Sequence, residues 1–468
     1  MSIPARTSQE EPSVSLKSGS PWAVFGVVSL SMFAVSMDGT LLFAAFSALR
    51  AGFPEASAAD VSWVLNAYTV VYAALLVPAG RLADGHGRKK VFISGISLYL
   101  LGSVGCGLAF DVGWLVAARV IQAVGAALLT PASLSLVLAA FPQDKRAVAI
   151  SLWGAVGGLA AAVGPSLGAF VVASAGWRWA FYLNVPLAAF ALWRGARVLT
   201  EGCQPTTPRS LDLLGMGLLI TAIAAVALSI VQANAPGWTQ PELLAVAGIG
   251  LVSMIAFVAW SRVSSQPMVD PGLFKSRTYR YVNLATLSFG AVFSMMFFSF
   301  FFYMKTIWSY PLALAGLAIA PGPLIVIPAA AISGRIASRH GYRALLVLGC
   351  LIHAASALWF LRVPGAEPAY LTHWLPGLLV GGIAVGMVMP SLSGAAVGQL
   401  PAERYAVGAA VNQAIRQIGS VMGVAITVLL LGGTNLQRAD FDAVYLCHIA
   451  LALLTATFCM RIKALPRQ

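Results

Sequence analysis

The chain has 468 residues, of which 59% are hydrophobic and only 10% charged, with a mean hydropathy of +0.84. A soluble protein carries about 25% charged residues, so this composition excludes a globular domain surrounded by water. The five cysteines form no Cys-x-x-Cys pair, which argues against a disulfide framework or a metal site. The net charge of +13 does not indicate a nucleic-acid partner, because most basic residues fall in the tails and in short segments between apolar runs.

Fourteen apolar stretches follow one another along the chain, and most reach the length of about twenty residues that a membrane-crossing helix needs. They are 22–46, 61–80, 91–110, 113–141, 147–174, 179–198, 211–233, 243–262, 280–304, 311–334, 342–361, 371–397, 405–431 and 443–463. If the N-terminus is inside, cytoplasmic segments hold 22 Lys and Arg and outer segments hold five. This bias predicts a multi-pass protein of the cell membrane with both termini cytoplasmic.

The order of these stretches predicts an all-α integral membrane protein with 14 transmembrane helices, arranged as two six-helix bundles with two extra helices between them. The predicted parts are a disordered cytoplasmic tail (1–21), an N-terminal six-helix bundle (22–198), linkers with two additional transmembrane helices (199–277), a C-terminal six-helix bundle (278–463) and a second cytoplasmic tail (464–468).

One acidic residue, Asp38, lies deep inside a predicted membrane helix, whereas every other Asp and Glu falls in a loop, in a tail or near a helix edge. An ionised carboxylate at that depth is costly unless it is paired or protonated, so it indicates a functional site. Arg119 lies at a similar depth in the fourth stretch and is the expected partner. The carboxyl group is predicted to bind and release a proton, which makes Asp38 and Arg119 the candidates for proton coupling. The alternative is a purely structural ion pair.

A charged segment, Gly80–Lys90 (GRLADGHGRKK), separates the second and third stretches and predicts a tight cytoplasmic turn. A similar segment begins 254 positions later, at Gly334 (GRIASRHGYR). The first segment resembles the signature loop of the major facilitator superfamily. This resemblance implies a transporter built from two related halves, with a cytoplasmic gate formed by Gly80, Asp84, Gly87 and Arg88.

Four further motifs narrow the resemblance to the fourteen-helix drug:proton antiporter branch of that superfamily. They are MDGT at 37–40, RVIQAVGAA at 119–127, GPSLG at 164–168 and WRWAFYLNVP at 177–186. The third is similar to the motif that marks antiporters, which assigns that role to Gly164, Pro165 and Gly168. The branch implies a proton-coupled exporter of small amphipathic or drug-like molecules that works by alternating access. We expect no catalytic activity and no cofactor beyond the proton motive force. The expected partners are cargo, protons and membrane lipid, and a monomer is expected.

Polar and aromatic residues in the helices supply candidates for the wall of a cargo cavity. They are Trp63, Asn66, Tyr72, Gln122, Lys305, Asn412 and Arg416, together with the Phe- and Met-rich segment Phe293–Tyr303. Ordinary helix packing explains aromatic residues at these spacings equally well. Lys305 has two interpretations: its ammonium group reaches the membrane interface, or it selects anionic or zwitterionic cargo.

Three rival functions stand beside this prediction. A proton-coupled importer belongs to the same superfamily, although the GPSLG motif argues against it. A lipid translocator requires a lateral opening and an amphipathic groove, which the sequence does not reveal. A membrane-embedded sensor or enzyme is the least favoured alternative, because no cluster of His, Asp and Cys and no appended soluble domain is evident.

Overall fold

The computed structural model describes residues 20–56, 58–201, 212–232, 238–398, 400, 404–431 and 436–462. Its helices are α1 (Pro21–Gly52), α2 (Ala58–His86), α3 (Arg88–Gly107), α4 (Val112–Ala140), α5 (Gln143–Ala175), α6 (Arg178–Tyr182), α7 (Asn184–Val198), α8 (Leu213–Val231), α9 (Gln240–Val263), α10 (Arg277–Thr306), α11 (Leu312–Ile319), α12 (Pro321–His340), α13 (Tyr342–Arg362), α14 (Leu375–Val397), α15 (Tyr405–Leu430) and α16 (Asp440–Met460). The described residues contain no β-strand.

Within the described part of the chain, twelve helices are long and apolar enough to cross a membrane. Two of the fourteen predicted stretches are not among them. The stretch 179–198 is divided at Leu183 into α6 and α7, and α7 has only 15 residues. The stretch 405–431 forms α15, which is not counted among the twelve. The all-α fold is therefore confirmed, and the count of fourteen remains a prediction.

The helices pack mainly with neighbours from the same half of the chain. In the first half, α1 packs against α5, α4 and α7, and α4 packs against α2 and α3. In the second half, α10 packs against α15, α16 and α14, while α14 also contacts α12 and α13. The two sets meet where α5 contacts α11 and α12 and where α2 contacts α15. Helices α8 and α9 pack on each other, and α8 also contacts α2 and α15.

Side chains near the helix ends explain where several helices begin. Asp111 and Asp212 accept hydrogen bonds from the backbone N–H groups of Trp114 and Gly215, which caps α4 and α8. These bonds satisfy N–H groups that the first turn of a helix leaves without a partner. Thr239 starts α9 with a reciprocal capping box. The linker before α8 and the connection between α8 and α9 therefore each end at a definite residue.

Glycine sets the two sharp turns that lie within the repeated charged segments. Gly87 separates α2 from α3 with a φ of 104°, and Gly341 separates α12 from α13 with a φ of 80°. Side chains other than hydrogen strain the backbone in this region of φ. The repeat seen in the sequence therefore corresponds to the same turn in both halves.

Candidate functional site

The carboxylate of Asp38 on α1 and the guanidinium of Arg119 on α4 form an ion pair in the interior of the protein. The Oδ2 of Asp38 lies 2.5 Å from the Nη1 of Arg119, and each side chain is 1% exposed. The two residues are 81 positions apart in the sequence, and the expected contact between them is present. A buried pair of this kind is retained only when further hydrogen bonds satisfy both groups.

Three neighbouring groups supply those hydrogen bonds. Asn184 on α7 donates from Nδ2 to the Oδ1 of Asp38 at 2.8 Å, and Gln122 donates to the same oxygen at 3.2 Å. Arg119 donates from Nε to the carbonyl oxygen of Val64 at 3.0 Å and from Nη1 to the Oε1 of Gln122 at 2.6 Å. The network therefore joins α1, α2, α4 and α7 around one carboxylate.

Two tyrosines on α2 extend this network toward the second half of the protein. The guanidinium of Arg119 lies 4.0 Å from the ring centroid of Tyr68, a cation–π contact. Tyr68 stacks on Tyr72, with ring centroids 5.8 Å apart, and Tyr72 lies beside Gln413 and Arg416 on α15. The proton-site candidate of the first half is thus connected to α15 through two aromatic rings.

Asn184 is the functional candidate that sequence reasoning missed. It lies in the WRWAFYLNVP segment, which the sequence analysis used only to narrow the family resemblance. The signal available in the sequence was an amide within the apolar stretch 179–198. The structure buries this amide fully. Its contact partner was not predictable, because 146 positions separate it from Asp38.

The glycines of the GPSLG motif lie against α1 next to Asp38. A Cβ atom at Gly164 would come within 2.9 Å of the carbonyl oxygen of Met37, and one at Gly168 would come within 3.1 Å of that of Leu41. On another face of α5, Ser166 donates to the carbonyl oxygen of Gly316 at 2.8 Å. The motif therefore allows α5 to pack closely both on the helix that carries Asp38 and on α11 of the second half.

The predicted cytoplasmic turn is shorter than expected. The sequence analysis placed it at Gly80–Lys90, but α2 continues to His86 and α3 begins at Arg88. Gly80 is therefore a buried position within α2, and Gly87 alone makes the turn. The residues from Arg81 to His86 extend α2 because the helix satisfies their backbone groups and Leu82 and Ala83 pack against the core.

The basic residues after Gly87 bind backbone oxygens of their own half. Arg88 donates to the carbonyl oxygen of Ser135 at 3.5 Å, and the Nζ of Lys89 donates to that of Ala196 at 2.9 Å. The carboxylate of Glu201 accepts from the backbone N–H of Lys89 at 3.2 Å. The side chain of Asp84 lies outside the described residues, so its predicted role in the gate stays a prediction.

The residues predicted to line the cargo cavity do not form one wall. Gln122 is fully buried in the Asp38 network, and Asn412 on α15 is 4% exposed and donates to Asn283 and Thr286 on α10 at 3.0 and 2.8 Å. Both amides satisfy their donors with nearby protein acceptors, as buried amides do, and their predicted place on a cavity wall stays a prediction. Lys305 is exposed near the end of α10. This position fits the interpretation in which its ammonium group reaches the membrane interface better than a place on a cavity wall.

The other predicted cavity residues lie on α2 and α15. Trp63, Asn66 and Arg416 are each partly exposed. Tyr72 is buried, and its hydroxyl shares a hydrogen bond of 2.9 Å with that of Thr130. Tyr72 and Arg416 are neighbours at the contact between the two halves, so these two predicted residues do come together.

An apolar cavity lies where α5 meets α10, α12 and α14. The space between its walls, together with its open mouth, amounts to about 400 Å³. Its wall includes Phe293, Met296, Phe297 and Phe300 from the Phe- and Met-rich segment of α10, faced by Gly158 of α5. Aromatic and thioether side chains adapt to apolar ligands of different shapes. This cavity, rather than the polar network, is the candidate binding place for the apolar part of a cargo molecule.

A helical protein with many membrane-spanning segments, a buried charged pair and an apolar cavity between two helix sets has the features of a membrane transporter. The family description "Major Facilitator Superfamily" matches residues 28–424. The chain therefore belongs to the Major Facilitator Superfamily and is a multi-pass membrane transporter, not an enzyme.

Named relatives cover most of the chain. The multidrug resistance protein Stp of Mycobacterium tuberculosis is 30% identical over 426 residues, which are 89% of this chain and 78% of that protein. The tetracenomycin C resistance and export protein of Streptomyces glaucescens is 30% identical over 415 residues, 88% of this chain and 76% of that protein. The crystal structure of the human organic anion transporter MFSD10 matches with a TM-score of 0.68 over 94% of this chain and 100% of that chain. At 16% identity, this last likeness shows the fold alone.

Proposed function

We propose that this protein is a proton-coupled exporter of small amphipathic molecules and that Asp38 is its proton site. The observation that carries the proposal is the network around Asp38, where one fully buried carboxylate accepts hydrogen bonds from Arg119, Gln122 and Asn184. A buried carboxylate is stable when ionised only while its cation and donors stay in place. Movement of α1 relative to α4 or α7 would therefore favour proton uptake by Asp38.

Protonation of Asp38 would in turn weaken the contacts that hold α1 against α4 and α7. A neutral carboxyl group attracts the Arg119 guanidinium much less than a carboxylate does, so the pair would no longer resist separation. This reciprocity links the protonation state of Asp38 to helix position, which is the requirement for coupled transport. One proton that crosses about 180 mV releases about 4 kcal/mol, enough to sustain a cargo gradient of about a thousandfold.

The proposed architecture is the fourteen-helix one, with two six-helix bundles, α8 and α9 between them and both termini in the cytoplasm. The packing of helices mainly within each half supports it. So does the excess of Lys and Arg in the segments assigned to the cytoplasm. In this arrangement, the two halves rock about the cavity between α5, α10, α12 and α14.

The proposed direction is export. The GPSLG motif resembles the antiporter motif, and its glycines lie against the segment of α1 that carries Asp38. Relatives named for multidrug resistance and for tetracenomycin C resistance and export add support. The proposed gate is the end of α2 with Gly80, Asp84, Gly87 and Arg88, on the cytoplasmic side in this orientation.

Inverted membrane vesicles that contain the protein test this function directly. After energisation, a labelled panel of amphipathic compounds that includes puromycin is offered with and without a protonophore. We expect uptake of at least one compound by wild-type vesicles, loss of that uptake with the protonophore, and no gradient-driven uptake by Asp38→Asn. Uptake that survives the protonophore would contradict proton coupling. Uptake only by right-side-out vesicles would instead support an importer.

A further inference from the structure

The guanidinium of Arg416 is a charge in the middle of a helix for which the described residues offer no counter-ion. No hydrogen bond or ion pair joins it to any residue in the described part of the chain, and its side chain is only partly exposed. The group that interacts with its charge is the Tyr72 side chain on α2. Cations within membrane helices normally pair with an acid or with backbone carbonyls, so this arrangement is energetically unfavourable without a ligand.

Among the described residues, no acidic side chain neutralises Arg416. Asp38 is the only acid away from the ends of the spanning helices, and it is fully buried with Arg119 as its partner. The cavity also has no acid on its wall. Within the described part of the chain, the interior near the cavity therefore offers a positive charge without a counter-ion and no exposed negative charge, a combination that disfavours cationic cargo.

Arg416 lies close to the apolar cavity along the α10–α15 contact. A Cβ atom at Gly290 of α10 would come within 2.6 Å of the carbonyl oxygen of Arg416. Phe293, the first α10 residue of the cavity wall, is three positions further on, which is about 4.5 Å along the helix. The backbone of Arg416 therefore lies about one turn of α10 away from the cavity wall that Phe293, Met296 and Phe297 form.

We propose that Arg416 binds the anionic head group, a carboxylate or a phosphate, of an amphipathic cargo whose aromatic or aliphatic body occupies the cavity. This inference rests on the proposed transport function and specifies its substrate class. The guanidinium presents N–H groups in a planar fork that matches both head groups, and the Tyr72 hydroxyl lies beside it. The head group would supply the counter-charge that the described protein residues lack.

Binding to the purified full-length protein in a nonionic detergent tests the proposal without transport. Three probes share a dansyl body: dansylglycine carries a carboxylate, dansylglycinamide is neutral, and dansylaminoethyl-trimethylammonium is cationic. We expect dansylglycine to bind at least about tenfold more tightly than the amide and the cation to bind most weakly. Arg416→Gln should remove the difference between acid and amide, while Arg416→Lys should retain part of it.

Two controls separate a ligand role from a structural one. Arg362→Gln removes an exposed arginine at the end of α13 and should leave all three affinities unchanged. Arg416→Met replaces the unpaired charge with an apolar side chain of similar length and should leave the melting temperature of the unliganded protein unchanged or raise it. A large drop in that temperature, or an unchanged preference for the acid in Arg416→Gln, would overturn the proposal.

A competition experiment distinguishes a carboxylate of a drug-like molecule from a phosphate of a lipid. Displacement of dansylglycine by a soluble aromatic carboxylate supports a drug-like acid, and displacement by dihexanoyl phosphatidic acid supports a lipid phosphate. Displacement by neither, or tightest binding of the cationic probe, would contradict an anion site. Because these measurements need no proton gradient, acid-selective binding with failed vesicle uptake would refute the proposed export and keep the assigned ligand class.

Discussion

At the scale of single residues, the Asp38–Arg119 pair contributes to the stability of the fold as well as to the proposed proton coupling. Both side chains are almost completely buried, so each depends on the other for its compensating charge. Gln122 and Asn184 complete the hydrogen bonding of the carboxylate, but neither carries a charge. Removing one member of a buried pair leaves the other charge uncompensated, which is much more costly than removing both.

Asp38→Asn should therefore lower the free energy of unfolding by about 3–5 kcal/mol, because Arg119 keeps its charge without a carboxylate. The double variant Asp38→Asn/Arg119→Gln should recover part of that loss, since it buries no net charge. Thermal unfolding of the purified proteins in detergent measures both effects. If the double variant is less stable than Asp38→Asn, the pair does not act as a mutually compensating unit. Neither variant should transport against a gradient.

At the scale of helices, the packing of α5 on α1 depends on small residues next to Asp38, the proposed proton site. Gly164 faces the turn of α1 between Met37 and Thr40, which includes Asp38. A methyl group there would meet the side chain of Thr40 and the backbone of Met37, and the backbone has no room to give way. The antiporter-like motif thus has a physical role in this structure, since it sets the distance between α5 and the helix that carries the carboxylate.

Gly164→Ala should push α5 away from α1, lower the melting temperature and reduce proton-driven uptake at least about tenfold, because small shifts near a reacting group are costly. Gly154→Ala is the matched control on the same helix, since a Cβ atom there meets no other atom within 4 Å. The control should keep wild-type uptake and be as stable or slightly more stable. Equal effects of the two substitutions would show that helix propensity, rather than the contact with α1, decides the outcome.

At the scale of the whole molecule, the segment between α9 and α10 connects three parts of the protein. Arg81 of α2 donates to the carbonyl oxygens of Gln266 and Pro267. Asp212, at the start of α8, accepts from the backbone N–H of Met268 at 2.8 Å and from the indole of Trp260 at 2.8 Å. In the same segment, Asp270 forms an exposed ion pair with Arg404 at 3.2 Å, just before α15. The α8–α9 pair is therefore held to both halves by one short segment.

The carboxylate of Asp212 gives this connection a pH dependence. Partial burial acts to raise its pKa, but hydrogen bonds from Trp260, Gly215 and Met268 and the charge of Arg81 outweigh burial and lower the pKa below its ordinary value. A group with a lowered pKa in the folded state stabilises the protein above its unfolded pKa and loses this effect as the pH falls through the folded value. The stabilisation should be complete at neutral pH, begin to fall near pH 4, the ordinary value for an Asp, and be lost as the pH drops through the lower folded pKa.

Asp212→Ala should lower the free energy of unfolding by about 1–2 kcal/mol at pH 7, the scale of a lost helix cap with its interhelical bonds. The difference from the wild type should shrink as the pH approaches 3. Melting temperatures measured in detergent across this pH range test the prediction. Glu242→Gln is the control, because Glu242 bonds only to Thr239 of its own helix start. A deficit for Asp212→Ala that persists unchanged at pH 3 would assign the effect to side-chain volume rather than charge.

The sequence by itself determined the class of fold, because apolar stretches of about twenty residues with charged ends have few stable arrangements outside a membrane. It also singled out Asp38 and Arg119, since the cost of a charge within a membrane helix depends on depth, and depth can be counted along one helix. The two turns at Gly87 and Gly341 were located to within a few residues by the repeated charged segments.

Only the tertiary structure decided which helix each polar side chain faces. Helical periodicity orders residues around one axis but does not fix the rotation of that helix against partners more than a hundred positions away. This is why the sequence analysis did not predict the hydrogen bond between Asn184 and Asp38. For the same reason it did not predict that Asn412 donates hydrogen bonds to α10. For the same reason, nothing in the sequence joins His353 to His448, whose rings lie 6.3 Å apart between α13 and α16. The unpaired state of Arg416 is likewise a property of the packed helices, because it depends on which neighbours the fold places around it.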